Sequence, residues 1–220
     1  MSTSDLEALV YRVRPAAAEP EGLLVLFHGR GADEHDLFPL FDILDPDKRL
    51  LGATPRGPMT MPPGGAHWYV VKRVGFPDPA SFWPTFERAS SWLDALVEES
   101  GLDYSSVALG GFSQGCVMSY ALSFAADRPA PAAMMGFSGF IPEVEGLDLD
   151  LTSPTRVAIG HGTYDPVIEV SFGRDARERF EAAGADFMYR EYPLPHTIDP
   201  DYLQEVSEWL SGSVPGPAPR

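Results

Sequence analysis

The stretch Val107-Ala108-Leu109-Gly110-Gly111-Phe112-Ser113-Gln114-Gly115-Cys116-Val117-Met118 decides the fold. Val107 to Leu109 reads as a buried strand and Gln114 to Ala125 as a helix, with Gly111-Phe112-Ser113-Gln114-Gly115 between them. This is a G-x-S-x-G nucleophile elbow, and its demand is steric. To project a serine hydroxyl above a sheet, the chain must turn sharply with the serine in a strained backbone conformation. Side chains two residues to either side would strike the strand or the helix, so both positions favour glycine. The helix points its N-terminus at the serine, where a developing oxyanion is favoured. A glycine- and serine-rich turn without chemistry is the alternative, and the strand–turn–helix context argues against it.

Outward from the elbow, strand and helix patterns alternate. Leu23 to Phe27 is a continuous apolar run, which suits a strand buried on both faces of a parallel sheet. Shorter runs follow at Leu50 to Ala53, Ala132 to Phe137 and Val157 to Ile159, and Phe187 to Tyr192 makes a last strand. Leu9 to Val13 alternates and reads as an opening strand. Helical periods run over Phe82 to Glu98, Gly173 to Ala183 and Asp199 to Leu210. The succession predicts βαβ units and an α/β fold with a mainly parallel sheet. No repeat or linker divides the chain, so residues 1–211 are expected to form one domain. Gly212 to Arg220, with three prolines, is expected to be a flexible tail.

Composition removes several function classes. The 220 residues carry 16 Lys and Arg against 32 Asp and Glu, a net charge of −16. Nucleic-acid binding needs clustered cations, and anionic membrane surfaces repel such a protein. No apolar run approaches the roughly 20 residues that span a bilayer. Met1 to Asp5 lacks the basic stretch and apolar run of a secretion signal, so a cytoplasmic location is expected. The single cysteine, Cys116, excludes intramolecular disulfides and a cysteine-built zinc site. A glycine-rich phosphate loop with a lysine is absent, which speaks against nucleotides.

The elbow calls for partners. A tetrahedral intermediate needs two fixed donors, one from the residue after the nucleophile and one from a loop after an early strand. Those are the backbone N–H groups of Gln114 and of Arg30, in Phe27-His28-Gly29-Arg30-Gly31-Ala32-Asp33. A plain surface loop is the alternative there. A metal site from His28, Asp33, His35 and Asp36 matches no recognised ligand spacing. Gly160-His161-Gly162-Thr163-Tyr164-Asp165-Pro166 follows another strand and offers Asp165 as the acid, or as a turn aspartate. Proteins with this elbow run nucleophile, acid, histidine along the chain. Of the two histidines after Ser113, His161 precedes the acid, which leaves His196 as the candidate base, with an isolated surface histidine as the alternative. Cys116 is a rival nucleophile only in principle, since a cysteine inside a helix start is more often a small core residue.

With these segments quoted, the chain resembles the carboxylesterase/phospholipase family that includes the acyl-protein thioesterases. The resemblance rests on Phe27 to Asp33, Gly111 to Gly115, His161 to Val167 and His196-Thr197-Ile198. It extends to His67-Trp68-Tyr69 and Gly75-Phe76-Pro77-Asp78-Pro79, which look like a substrate-covering segment. It implies an α/β-hydrolase fold without a large cap domain. It also implies Ser113 as nucleophile, His196 as base and Asp165 as orienting acid, with Arg30 and Gln114 as oxyanion donors. Pro195 departs from the family, which usually has glycine before this histidine.

The expected activity is hydrolysis of carboxylic or thio esters of short to medium acyl chains, with no metal or organic cofactor. Acyl-protein thioesterase or lysophospholipase activity stays open, as does a non-catalytic ligand-binding role. Met61, Trp68, Tyr69 and Phe76, in irregular Pro- and Gly-rich sequence, are the candidate acyl-pocket residues, unless that loop is only pinned by its own aromatics. A small ester is the expected partner, with no nucleic acid and no stable membrane association; a homodimer is neither required nor excluded.

Overall fold

The computed structural model describes residues 9–214. Its centre is a seven-stranded sheet built from β1 (Tyr11–Arg14), β2 (Gly22–Phe27), β3 (Leu50–Pro55), β8 (Val107–Phe112), β9 (Ala133–Phe137), β10 (Arg156–Gly162) and β11 (Phe187–Tyr192). The spatial order is β1-β3-β2-β8-β9-β10-β11. Only β1 runs antiparallel to its neighbour; every other pairing is parallel. This is an α/β-hydrolase architecture.

Burial follows from the period of two along each strand. Leu23, Val25 and Phe27 of β2 pack with α2 (Pro79–Ser100) and α3 (Gln114–Phe124). Leu24 and Leu26 turn to the opposite face, toward α1 (Phe41–Leu44) and α5 (Pro200–Ser211). A third cluster joins Val157 and Ile159 of β10 to Tyr120 of α3 and Phe180 of α4 (Val170–Ala183). Both faces are therefore covered, which is why the strand sequences read as apolar runs.

Strand order locates the site. From β2 the chain moves outward to β3, then returns to the other side of β2 to make β8. At such a reversal, the loops leaving the carboxyl ends of neighbouring strands part and leave a crevice. The loops after β2 and β8 are the ones carrying Arg30 and Ser113. Between β3 and α2 the chain makes two small hairpins, β4 (Met59–Met61) with β5 (Gly65–His67), and β6 (Val71–Arg73) with β7 (Phe76–Pro77).

Several boundaries differ from expectation. The opening strand begins at Tyr11, and Leu9 is a core residue outside it. Helix α2 starts at Pro79, whose missing N–H costs nothing in a first turn, and continues through Pro84. At the other end, Ser213 and Val214 are buried and Val214 N–H bonds to the carbonyl of Leu210. Packing thus reaches three residues past the boundary at 211; residues 215–220 of the expected tail lie outside the described residues.

Candidate active site

Ser113 sits between β8 and α3 with φ 55° and ψ −116°, a backbone conformation that a residue with a Cβ adopts only under constraint. The constraint is close packing at both glycines. A Cβ on Gly115 would lie 1.9 Å from the carbonyl oxygen of Phe27, and one on Gly111 would lie 2.3 Å from the backbone of Gly115. Ser113 N–H is held by the carbonyl of Phe137, 3.0 Å away.

Three loops bring the remaining groups to this hydroxyl. Ser113 Oγ donates to His196 Nε2 at 2.9 Å, and His196 Nδ1 donates to Asp165 Oδ2 at 2.6 Å. Asp165 Oδ1 accepts from the N–H groups of Val167 and Ile168, each at 2.9 Å. With its side chain fully buried, the carboxylate has one oxygen fixed by backbone and the other on the imidazole. The ring of Phe112, 4.7 Å away between centroids, packs against His196. Pro195 does not keep the histidine from this position. Its carbonyl accepts from Thr197 N–H at 2.8 Å, and the loop rests closely on Gly162.

Gln114 and Arg30, the oxyanion candidates, both lie beside Ser113. Gln114 opens α3, so its N–H lacks an intrahelical acceptor. Arg30 has no hydrogen-bond partner among the described residues and lines the same cavity as Ser113. The next residue, Gly31, donates to Ala66 at 2.8 Å, and Ala66 donates back to Ala32 at 2.7 Å, so β5 pins the Arg30 loop. Trp68 Nε1 donates to the carbonyl of His28 at 2.8 Å from the other side.

Beside Ser113 opens a cavity of about 400 Å³. Its lining includes Arg30, Gln114 and His196, the aromatic residues Tyr69 and Phe140, and the aliphatic residues Val71, Val74, Val167 and Ile168. Of the four expected acyl-pocket residues only Tyr69 is among them. Trp68 is corrected to a fully buried strut, Met61 lies beneath Gly31 in β4, and Phe76 turns to a different surface groove. The physical reason is the hairpin pairing, which turns alternate residues of that segment away from the serine. Val71, Arg73, Val74, Phe140, Val167 and Ile168 were missed. Val167 and Ile168 had a signal, since they follow Asp165 directly; Phe140 arrives from a separate loop.

Two further histidines, His161 and His28, are structural. His161 is wholly buried and its Nε2 donates to the carbonyl of Ile168 at 2.8 Å, so it braces the loop that holds Asp165. His28 Nδ1 donates to Gly29 and its Nε2 accepts from Gly57 N–H at 2.9 Å. Burial pushes both imidazoles below their ordinary value of 6.5. Donor atoms of Asp33, Glu34 and His35 lie within 4.8 Å of one another, but Arg56 already stands 3.0 Å from Glu34 and 3.4 Å from Asp33. Cys116 is buried and its thiol is pushed up by that burial, away from the reactive thiolate.

Comparison with known proteins gives the family and agrees with the fold. A family described as Phospholipase/Carboxylesterase matches residues 10–214. Acyl-protein thioesterase 1 of Kluyveromyces lactis is 24% identical, over 92% of this chain and 96% of its own. Esterase YpfH of Escherichia coli is 28% identical, over 88% of this chain and 83% of its own. The carboxylesterase of Bacillus cereus superposes with a TM-score of 0.81 at 20% identity, covering 93% of this chain and 94% of that one.

Proposed function

Because the chain belongs to the phospholipase/carboxylesterase family of α/β-hydrolases, and is an ester hydrolase by that membership, we propose that Ser113, His196 and Asp165 are its catalytic triad. One observation carries this reading: the unbroken line of hydrogen bonds from Ser113 Oγ through both nitrogens of His196 to Asp165 Oδ2.

His196 takes the proton of Ser113 as its oxygen attacks the acyl carbonyl. Asp165 keeps the proton of His196 on Nδ1, leaving Nε2 free to act as base, and stabilises the imidazolium that forms. The N–H groups of Arg30 and Gln114 receive the oxyanion; one such donor is worth roughly 100- to 1,000-fold in turnover. His196 returns its proton to the departing alcohol or thiol, then activates the water that frees the acyl group from Ser113. Every step uses groups of this chain and water.

Short to medium acyl chains suit the apolar walls and modest size of the cavity. Thioesters of acylated proteins are the second reading, favoured by the name of the Kluyveromyces lactis relative. We place the protein in the cytoplasm, where its one buried cysteine and acidic surface fit a soluble enzyme acting on small esters. Among the described residues no helix is long and apolar enough to cross a membrane. A p-nitrophenyl ester series from acetate to palmitate tests the proposal. Wild type is expected to favour the shorter half of the series, and Ser113→Ala to be inactive throughout. Activity climbing steadily to palmitate would overturn the chain-length reading. A folded wild type that cleaves none of the series would point to a non-catalytic binder.

A further inference from the structure

The charge around the cavity runs against the charge of the protein. The sequence holds twice as many acids as bases, yet the residues lining the cavity beside Ser113 include two arginines, Arg30 and Arg73, and no carboxylate. Most arginines elsewhere are matched, among them Arg14 with Asp45, Arg49 with Glu21, Arg128 with Asp94 and Arg174 with Glu191, while Arg12 lies over the ring of Phe38. Among the described residues no carboxylate reaches Arg30 or Arg73. Asp165, the acid nearest to the reaction, is fully buried and engaged by His196 and two backbone N–H groups.

The hairpin aims Arg73. Along β6 successive side chains alternate, so Val71 and Arg73 face the cavity while Lys72 turns away to pair with Asp78. The guanidinium of Arg73 lies 4.0 Å from the centroid of the Phe76 ring. An aromatic face holds a guanidinium in place without neutralising it and leaves its N–H edge free for an anion. This gives Phe76 a role as support for a cavity residue.

We infer that the natural ester carries an anionic oxygen group close to the scissile bond, met by Arg73 and Arg30. The inference rests on Ser113 being the nucleophile. The surrounding acidic surface repels anions in general, and two uncompensated cations at the cavity reverse that locally. The charge could reside on the acyl chain, as a second carboxylate, or on the leaving group, as a phosphate.

Two matched pairs of esters distinguish these sources. On the acyl side, p-nitrophenyl hydrogen glutarate is compared with its neutral methyl ester. On the alcohol side, the butyryl ester of glycerol 3-phosphate is compared with that of glycerol. At low salt the wild type is expected to favour the anionic member of one pair by about tenfold in kcat/KM, as a charge-assisted contact allows. That preference should shrink at about 1 M salt, where charges are screened beyond roughly 3 Å. Arg73→Gln should lower the anionic-to-neutral ratio about fivefold, and Arg73→Lys should restore part of it. Arg12→Gln, whose guanidinium lies over Phe38 away from the cavity, should match wild type on all four esters. Equal or better use of the neutral member in both pairs, or a ratio untouched by salt and by Arg73→Gln, overturns the inference while leaving the esterase intact. Failure to cleave any ester, with Ser113 unreactive, overturns the esterase reading as well.

Discussion

The side-chain amide of Gln114 donates from Nε2 to the carbonyl of Tyr69 at 2.8 Å, and its Oε1 accepts from Trp68 N–H at 3.1 Å. The residue proposed to offer its backbone N–H to the oxyanion therefore also anchors one wall of the cavity. Gln114→Ala would leave both backbone groups buried without partners, at about 1–3 kcal/mol each. The expected result is a lower melting temperature together with a raised KM, while Ser113 remains reactive. An unchanged KM would show that the Tyr69 wall does not depend on this amide.

Asp165→Asn isolates the orienting role. The amide oxygen can still accept from Val167 and Ile168, so the loop should hold and stability should change little. Its NH₂ then faces His196 Nδ1, which must become the acceptor, and the ring proton moves to Nε2, facing Ser113. A fall in kcat of roughly 1,000- to 10,000-fold is expected, with the circular dichroism spectrum unchanged. Activity within tenfold of wild type would remove Asp165 from the triad.

The two buried histidines make stability depend on pH. Their folded pKa values lie below 6.5, so the unfolded chain binds more protons than the folded one just below pH 6.5. Their contribution is complete above about pH 6.5 and is lost as the pH falls toward their folded values, at up to about 1.4 kcal/mol per pH unit for each. Urea unfolding between about pH 7.5 and about pH 5.5 should show this slope, and His161→Asn should make it shallower. The same slope in both proteins would contradict it.

Gly115 tests the packing beneath the elbow. Gly115→Ala drives a methyl into the backbone of Phe27, where a main chain cannot move aside, so a loss of about 3 kcal/mol or more is expected. Gly64→Ala meets nothing within 4 Å and should melt close to wild type. Comparing the two melting temperatures separates a steric requirement from the general cost of replacing a glycine.

What was legible in the sequence was whatever chemistry forces into a short local pattern. The elbow needs glycines at fixed offsets from Ser113, and buried parallel strands need unbroken apolar runs such as Leu23 to Phe27, so both could be read directly. Asp165 and His196 could be read from chain order and strand ends. The cavity walls could not. Phe140, Val167 and the adjacent pair Arg73 and Val74 come from three separate places in the chain, and only tertiary packing brings them to Ser113. Trp68 and Phe76 were assigned to the acyl pocket because aromatic residues in an irregular segment suggest one. The pairing of β6 with β7, and the bond from Trp68 to His28, turn them elsewhere. The first short helix, Phe41–Leu44, was missed because four residues are too few for a period to register.

The most direct measurement maps where a fluorophosphonate probe attaches. After reaction with the folded protein, tandem mass spectrometry of the digest should find one phosphonyl adduct, on the oxygen of Ser113, and His196→Ala should slow its formation by orders of magnitude. An adduct at any other residue, or labelling at the wild-type rate without the imidazole, would contradict the hydrogen-bonded relay on which the account stands.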